Sequence, residues 1–549
     1  MTPSKWLQRL NVDEEILAEV YGHDSALRHM ALRLWQDTLQ RFVDRFGERD
    51  VRLFRSPGRI NLRGMHVDTH GGYLNLMTHQ RETVVVAALA DDHSTAAVNT
   101  EADFPEVTFS AHGLSEDAAF RMLWNDFIVA PAVRRRVSAN TGSWGNYIAG
   151  CALNVQHRFP DCAIPALYLA VGSSLPRGAA LSSSAALCTS VVLAFSQWAG
   201  CALTPEELIL AARDAEWFAG SRCGVSDQAA MVLGAPGQCV NVALHPARFD
   251  ISAARTYAFP EETDVLVIDS QTERSLSGKQ LIDYTRNRFA YSIALHVCRQ
   301  ELATLGVSAE RLAKVDSLPA LAPCAWEDRD GLALVYRILM RIPETIELDT
   351  LRERYDVPEL DALYLEHFGN VPESERPRSF RLRGPLLFGI AESERARLFP
   401  GAVQRGEWQR AGQLMSLGHD GDRRVQPNGS PYVFDASDHV LTHLEASRVP
   451  VENCPGAYGA STPALDFLVD SALDAGAHGA SLTGAGLAGS VLALCPRDAS
   501  EGIASHVRDT LRSLEYAGIA GVPEPFSAEI AEKSVLSNRA IAGAGEIRS

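Results

Sequence analysis

Three consecutive hydroxyls, Ser182, Ser183 and Ser184, lie in the stretch Pro176 to Leu187 among alanines and Gly178. The apolar run Ala166 to Val171 before it reads as a buried strand, and Ala185 to Trp198 after it has the apolar spacing of a long helix. The serines are therefore expected at a strand-to-helix junction. There, unpaired helix N–H groups and the positive end of the helix dipole favour an anion. Small residues let backbone N–H groups approach a phosphate, and a serine hydroxyl can join them or ligate Mg²⁺. An N-cap cluster in an Ala/Ser-rich loop is the other reading of these residues.

Three further stretches carry chemistry. Ser56 to Gly72 gathers Arg59, Arg63, His66, Asp68 and His70 with four glycines, a composition for presenting polar groups from a loop. Cys223 to Gln228 places Asp227 in a turn, as a catalytic carboxylate or a helix cap. Gly479 to Cys495 contains G-x-G-x-x-G at Gly484, Gly486 and Gly489. A dinucleotide site needs a helix after those glycines. Here Ser490 to Cys495 is a β run ended by Pro496, so a tight loop between strands is expected. The chain has no G-x-x-x-x-G-K-[ST] and no G-x-S-x-G, which argues against P-loop and serine-hydrolase chemistry.

The elements that must position these residues follow from periodicity. Residues 1 to about 48 read as helical. Strands are expected at Val51–Phe54, Thr83–Ala90, its partner Thr95–Val98, and Asp264–Ile268. Helices are expected at Trp144–Gln156, Glu206–Phe218 and Tyr284–Leu302, and Arg134–Arg136 reads as a solvated helix end. Residues from about 305 to 385 are irregular in pattern and read as an insertion or a lid. At 549 residues two or more domains are expected. The net charge of −17 argues against nucleic acid or an anionic membrane as partner. Ten scattered cysteines without a C-x-x-C pair suit reduced thiols. With no signal-peptide core and no long apolar run, a cytoplasmic protein is expected.

Taken together, the glycine-rich stretches resemble the GHMP small-molecule kinases, and within them the galactokinase-like members. Pro57-Gly-Arg-Ile-Asn-Leu with Gly64, His66, Asp68 and Gly71-Gly72 is similar to the sugar signature PGRVNLIGEHTDYNGG. Gly178 and Leu181-Ser-Ser-Ser-Ala-Ala186 resemble the phosphate loop, and Gly479-Ala with Thr483-Gly-Ala-Gly486 and Gly489 resembles the third motif. Trp144 with Asn146-Tyr147, Ala215 to Gln228, Tyr284 with Arg288, and Ser461 to Asp466 resemble further family segments.

The resemblance implies an α+β fold in two lobes, the N-terminal lobe like domain 2 of ribosomal protein S5 and the C-terminal lobe ferredoxin-like. The expected division is a helical extension over 1–48, one lobe over 49–250 and the other over 251–549, with the insertion at about 305–385. It implies an ATP- and Mg²⁺-dependent sugar 1-kinase acting on the anomeric hydroxyl of a galactose-like monosaccharide, as a monomer or homodimer.

Asp227, as base or orienter, and Arg59 would be catalytic. His66, Asp68, Met65 and Tyr284 would face the sugar. Pro176, Gly178, Ala180, Leu181, Ser182, Ser183, Ser184, Gly484 and Gly486 would hold ATP. Ser184 (or Ser183) with Glu216 would hold Mg²⁺. Such a set suits phosphoryl transfer, which needs positioning, neutralised charge and a carboxylate at the attacking hydroxyl.

Departures bear on the substrate. Met65 stands where the family has glutamate, Thr69 for Tyr, Ser226 for Met, Ala180 and Ala488 for glycine, and Arg63 for Ile. Losing that carboxylate argues against plain galactose and admits arabinose or galacturonate. Arg63 would suit an acidic sugar or face solvent. The rival readings are a catalytically silent ATP- and sugar-binding regulator and a GHMP kinase for a non-sugar alcohol.

Overall fold

The computed structural model describes residues 1–549 except 13, 111, 177, 179, 246–248, 273–278, 328, 370, 523 and 549. Arg177 and Ala179 of the serine-rich stretch thus lie outside the described residues.

Strand β2 (Gly72–Leu89) is the spine of the larger sheet. Along one edge it pairs antiparallel with β1 (Arg52–Arg63). Along the other, its C-terminal half pairs with β5 (Leu167–Ser173) and its N-terminal end with β6 (Gln238–Leu244). β3 (Thr95–Asn99) adds to β5 in parallel, β4 (Val107–Phe109) adds to β3, and β7 (Arg255–Ala258) adds to β6. β3 is therefore not the partner of Thr83–Ala90 expected from the sequence. β5 arrives from later in the chain and lies between them.

Period-two alternation along β2 sends Val84, Val86 and Ala88 to one face and Val85 and Ala87 to the other. The first face is covered by the helices Pro3–Val12, Glu14–Tyr21 and Ser25–Phe46 through Trp35, Leu39 and Phe42. Helices Gly145–Arg158, Ser183–Trp198 and Pro205–Phe218 cover the second.

The smaller antiparallel sheet runs in the order β11 (Gly479–Leu482), β12 (Ser490–Pro496), β8 (Thr263–Asp269), β13 (Val535–Ser537). One face packs on helices Pro463–Asp474 and Ser500–Leu511. The other presents Val265, Val267, Leu492 and Leu494 to Ile60, Leu62 and Met77 of β1 and β2. This apolar contact joins the two sheets. β14 (Gly545–Ile547) returns to pair with β1, and β7 belongs to the larger sheet. The division expected at 250/251 therefore does not follow the sheets.

Residues 305–385 form short helices and a two-stranded ribbon, β9 (Thr345–Glu347) with β10 (Ser379–Arg381). Leu334, Ile338, Tyr364 and Phe368 join the large core that includes Val240 and Val242 of β6. The segment is packed against the body of the protein. Apart from the 11-residue helix Gly331–Arg341, whose apolar positions keep a helical period, its helices are too short to show one. No helix among the described residues is long and apolar enough to cross a membrane. All ten cysteines are free.

Candidate active site

A cavity of about 750 Å³ lies where the three glycine-rich stretches meet. Ser56 to Arg63, expected as loop, is instead the second half of β1, and the turn begins at Gly64. The register slips between Pro57 and Arg59, a local irregularity of the kind that re-aims a side chain. From there Arg59 Nε donates to Asp227 Oδ1 at 2.7 Å, and its Nη1 donates to the Ala180 carbonyl.

Asp227 lies in the first turn of the helix Ser226–Leu233 and accepts a second hydrogen bond from Ser182 Oγ. Burial works to raise its pKa, but the Arg59 cation and hydrogen bonds from Arg59, Ser182 and Ser226 outweigh burial and hold it below the ordinary range. It is thus a carboxylate and an acceptor.

The third stretch turns between β11 and β12. Thr483 Oγ1 accepts from Asn61 N at 3.1 Å and donates to Asn61 O at 3.2 Å, zipping this loop to β1. Gly484 has φ of 77°, and a Cβ there would stand 3.2 Å from Ala180 Cβ and 3.5 Å from Arg59 Nη2. Glycine is required both by backbone conformation and by how closely the loops approach.

Pro176, Gly178, Ala180, Leu181, Ser182, Ser183, Ser184, Gly484 and Gly486 all line the cavity. Ser182 precedes the helix Ser183–Trp198 with φ of 61°, and Ala180 (57°) and His66 (61°) share that left-handed backbone. Non-glycine residues held there carry strain that the surrounding contacts must over-determine, a pattern that concentrates at functional sites.

Glu216, on the last turn of the helix Pro205–Phe218, is 2% exposed. Burial chiefly raises its pKa, to about 7, against hydrogen bonds from Ser184, Cys223 and Gln228. No basic side chain pairs with it among the described residues. A buried carboxylate lacking a cation, beside a serine hydroxyl in the first turn of the helix Ser183–Trp198, has the oxygen donors that suit a hard divalent ion.

At the other end of the cavity, His66 stacks on Tyr458 with centroids 4.4 Å apart, and Tyr284 stands edge-on to both rings. His66 Nε2 is 3.4 Å from Asp422 Oδ1. Asp68 Oδ2 accepts from Ser226 N at 3.3 Å.

Met65 departs from expectation. It is 2% exposed and packs in the apolar cluster with Tyr291, Phe388 and Tyr458, away from the cavity lining. The cause is the turn, which is tied inward by Glu392 Oε1 accepting from Gly64 N at 2.7 Å and Met65 N at 3.1 Å. Arg63 likewise neither faces solvent nor the cavity. It is fully buried beside Glu392, donating to Leu414 O, Met415 O and Ser481 Oγ.

Sequence reasoning left out several residues that line the cavity. Tyr458 could have been found as a lone aromatic among glycines in Pro455 to Ala460. Asn146, Tyr147 and Arg288 stood in family-like segments without a role, and Arg222 gave no signal.

With this geometry in view, comparison with known proteins is specific. Residues 40–89 match the galactokinase galactose-binding signature, 146–235 the GHMP kinases N terminal domain, and 443–513 the GHMP kinases C terminal domain. Galactokinase of Chloroflexus aggregans is 31% identical over 261 residues, 47% of this chain and 58% of that protein. The Chloroflexus aurantiacus galactokinase is 30% identical over 267 residues, 48% and 60% of the two chains. The chain thus spans somewhat under two thirds of the curated relatives it matches. The crystal structure of Lactococcus lactis galactokinase complexed with galactose superposes with a TM-score of 0.56 at 17% identity, over 92% of this chain and 97% of that one, a likeness of fold. The three glycine-rich stretches that meet around Arg59 each lie within one of these matched segments, similar in turn to the galactokinase galactose-binding signature, the GHMP kinases N terminal domain and the GHMP kinases C terminal domain.

Proposed function

We propose that the protein is a sugar kinase that transfers a phosphoryl group from ATP to the anomeric hydroxyl of a galactose-like monosaccharide. The observation that carries this reading is the Arg59–Asp227 pair at the junction of all three loops, between a phosphate-type helix terminus and a polar, aromatic-walled pocket.

In this reading His66, Asp68 and Tyr284 orient the sugar. The carboxylate of Asp227 accepts the hydrogen bond of the attacking hydroxyl. Because Arg59 and Ser182 keep Asp227 ionised and weakly basic, it aims the oxygen first and takes the proton late, which suits a loose transition state. Arg59 lies close enough to spread developing charge on the transferred group. Backbone N–H groups at Ser183 and Ser184 would hold the phosphates, and Ser184 with Glu216 would hold Mg²⁺, which supplies charge neutralisation when bound.

With Met65 turned into the core, no carboxylate stands where galactokinase-like members carry glutamate. Arabinose and galacturonate therefore rank beside galactose as substrates. The test is ATP consumption with Mg²⁺ across a panel of free sugars and uronic acids. A single strong acceptor, phosphorylated at the anomeric position, supports the reading. A blank panel with bound ATP overturns it in favour of a silent regulator.

A further inference from the structure

A second cleft, of about 280 Å³, opens behind the wall that closes the His66 end of the cavity. The wall is thin. Tyr458 lines the cavity, whereas its neighbours Ala457 and Gly459 line the cleft. On the helix Lys279–Thr304, Tyr284 faces the cavity and Asp283 and Arg286 face the cleft.

Four arginines reach this cleft, and two of them are already paired. Arg423 is held by Asp470 at 2.7 Å and Asp420 at 3.2 Å, and Arg286 by Asp283 at 2.9 Å. Arg381, on β10, and Arg424 have no carboxylate within ion-pair distance among the described residues. Arg424 Nη1 donates to the Gly459 carbonyl at 3.1 Å. Burial lowers the pKa of Arg381, and the cations of Arg286 and Arg424 lower it further. Four guanidinium groups therefore share three carboxylates, Asp283, Asp420 and Asp470, leaving one positive charge in excess in a half-enclosed space on a protein of net charge −17. Holding like charges together costs free energy that a bound anion would recover. Tyr432 and Phe434 form an aromatic side of the same cleft, and the neighbouring Val433 is 62% exposed.

We propose that this cleft is a second, non-catalytic anion site, in which Arg381 and Arg424 take a phosphate monoester or diphosphate and Tyr432 and Phe434 contact the rest of the ligand. Guanidinium groups match phosphoryl oxygens bidentately, and Arg381 and Arg424 stand outside the ion pairs of the cleft, so both can turn to one phosphoryl group. The ligand is an inorganic phosphate, a sugar phosphate or a nucleotide, which share this chemistry.

The test is calorimetric titration of the full-length protein with pyrophosphate, at saturating non-hydrolysable ATP analogue and Mg²⁺ so that the main cavity is filled. One pyrophosphate site is expected to remain. Losing one charge-assisted hydrogen bond in Arg381→Gln or Arg424→Gln should weaken it by about tenfold or more. Arg424 is exposed, so its variant folds even if the other does not. An unchanged isotherm in Arg424→Gln, or no residual site in wild type, overturns the proposal. Replacing pyrophosphate with inorganic phosphate, a hexose 1-phosphate or ADP identifies the source by the tightest Arg424-dependent binding. If the main cavity binds no nucleotide, the Arg424-dependent site still persists, so failure of the kinase reading and of this one are distinguishable.

Discussion

Arg59 and Asp227 are 168 residues apart in the chain and meet through a 2.7 Å hydrogen bond, with the arginine 6% and the carboxylate 22% exposed at the side chain. The pair fixes both partners in one orientation and sets the charge of the carboxylate. It also ties β1, the serine loop and the helix Ser226–Leu233 into one unit, because Arg59 and Ser182 both address Asp227.

Replacing that carboxylate with an amide keeps shape and removes the charged acceptor. Asp227→Asn should lose about 10²- to 10⁴-fold in turnover while still binding ATP. Steady-state kinetics with the best sugar from the panel, alongside nucleotide binding, checks this. Near wild-type turnover would remove Asp227 from the mechanism.

Gly224 leaves room for the Asp68 carboxylate. A Cβ at this position would fall 2.0 Å from Asp68 Oδ2. Gly224→Ala should push Asp68 out of place, raising KM for the sugar while leaving KM for ATP unchanged. Overpacking of this kind costs about 1–3 kcal/mol in stability. Equal changes in both KM values would show that Asp68 does not serve the sugar.

Restoring the family carboxylate at residue 65 should not restore a galactose site. Met65→Glu buries an unpaired charge among Tyr291, Phe388 and Tyr458, at a cost of about 3 kcal/mol or more. Chemical denaturation reads the loss directly. A variant as stable as wild type, with improved galactose turnover, would mean that the side chain faces the cavity.

Glu392 gives stability a dependence on pH. Burial opposes its charge, but Arg63, Arg395 and the Gly64 N–H hold its pKa below the ordinary carboxylate range. Its folded value lies under its unfolded value of about 4.3, so its contribution is present above that pH and fades as pH falls through the folded value. Glu392→Gln should be less stable than wild type by about 3–5 kcal/mol at pH 7. Urea denaturation of both proteins from pH 7 downward should show the gap constant to about pH 4 and narrowing below it. A gap that widens in acid would contradict the assigned direction.

Local pattern carried far in this chain. The apolar spacing of Ala185 to Trp198 is written in adjacent residues, and the helix Ser183–Trp198 follows from it. The same holds for β8 and for the hairpin in which Val491 to Leu494 pairs with Gly479 to Leu482. The serines and glycines that line the cavity were legible as well, because they cluster in short stretches of adjacent residues.

What only the tertiary structure decided depends on contacts between distant segments. Nothing near Met65 in the chain foretells that Glu392, more than three hundred residues later, draws its turn inward and buries the side chain. No local period announces that the short helices of 305–385 share a core with β6, or that β5 inserts between β2 and β3. Residue chemistry and periodicity are properties of neighbours along the chain, so the sequence by itself determined most of the helices and strands and the residue types gathered in each glycine-rich stretch. Which side chains share a pocket or cleft, and which are withdrawn from it, is a property of packing, and only the fold decided it.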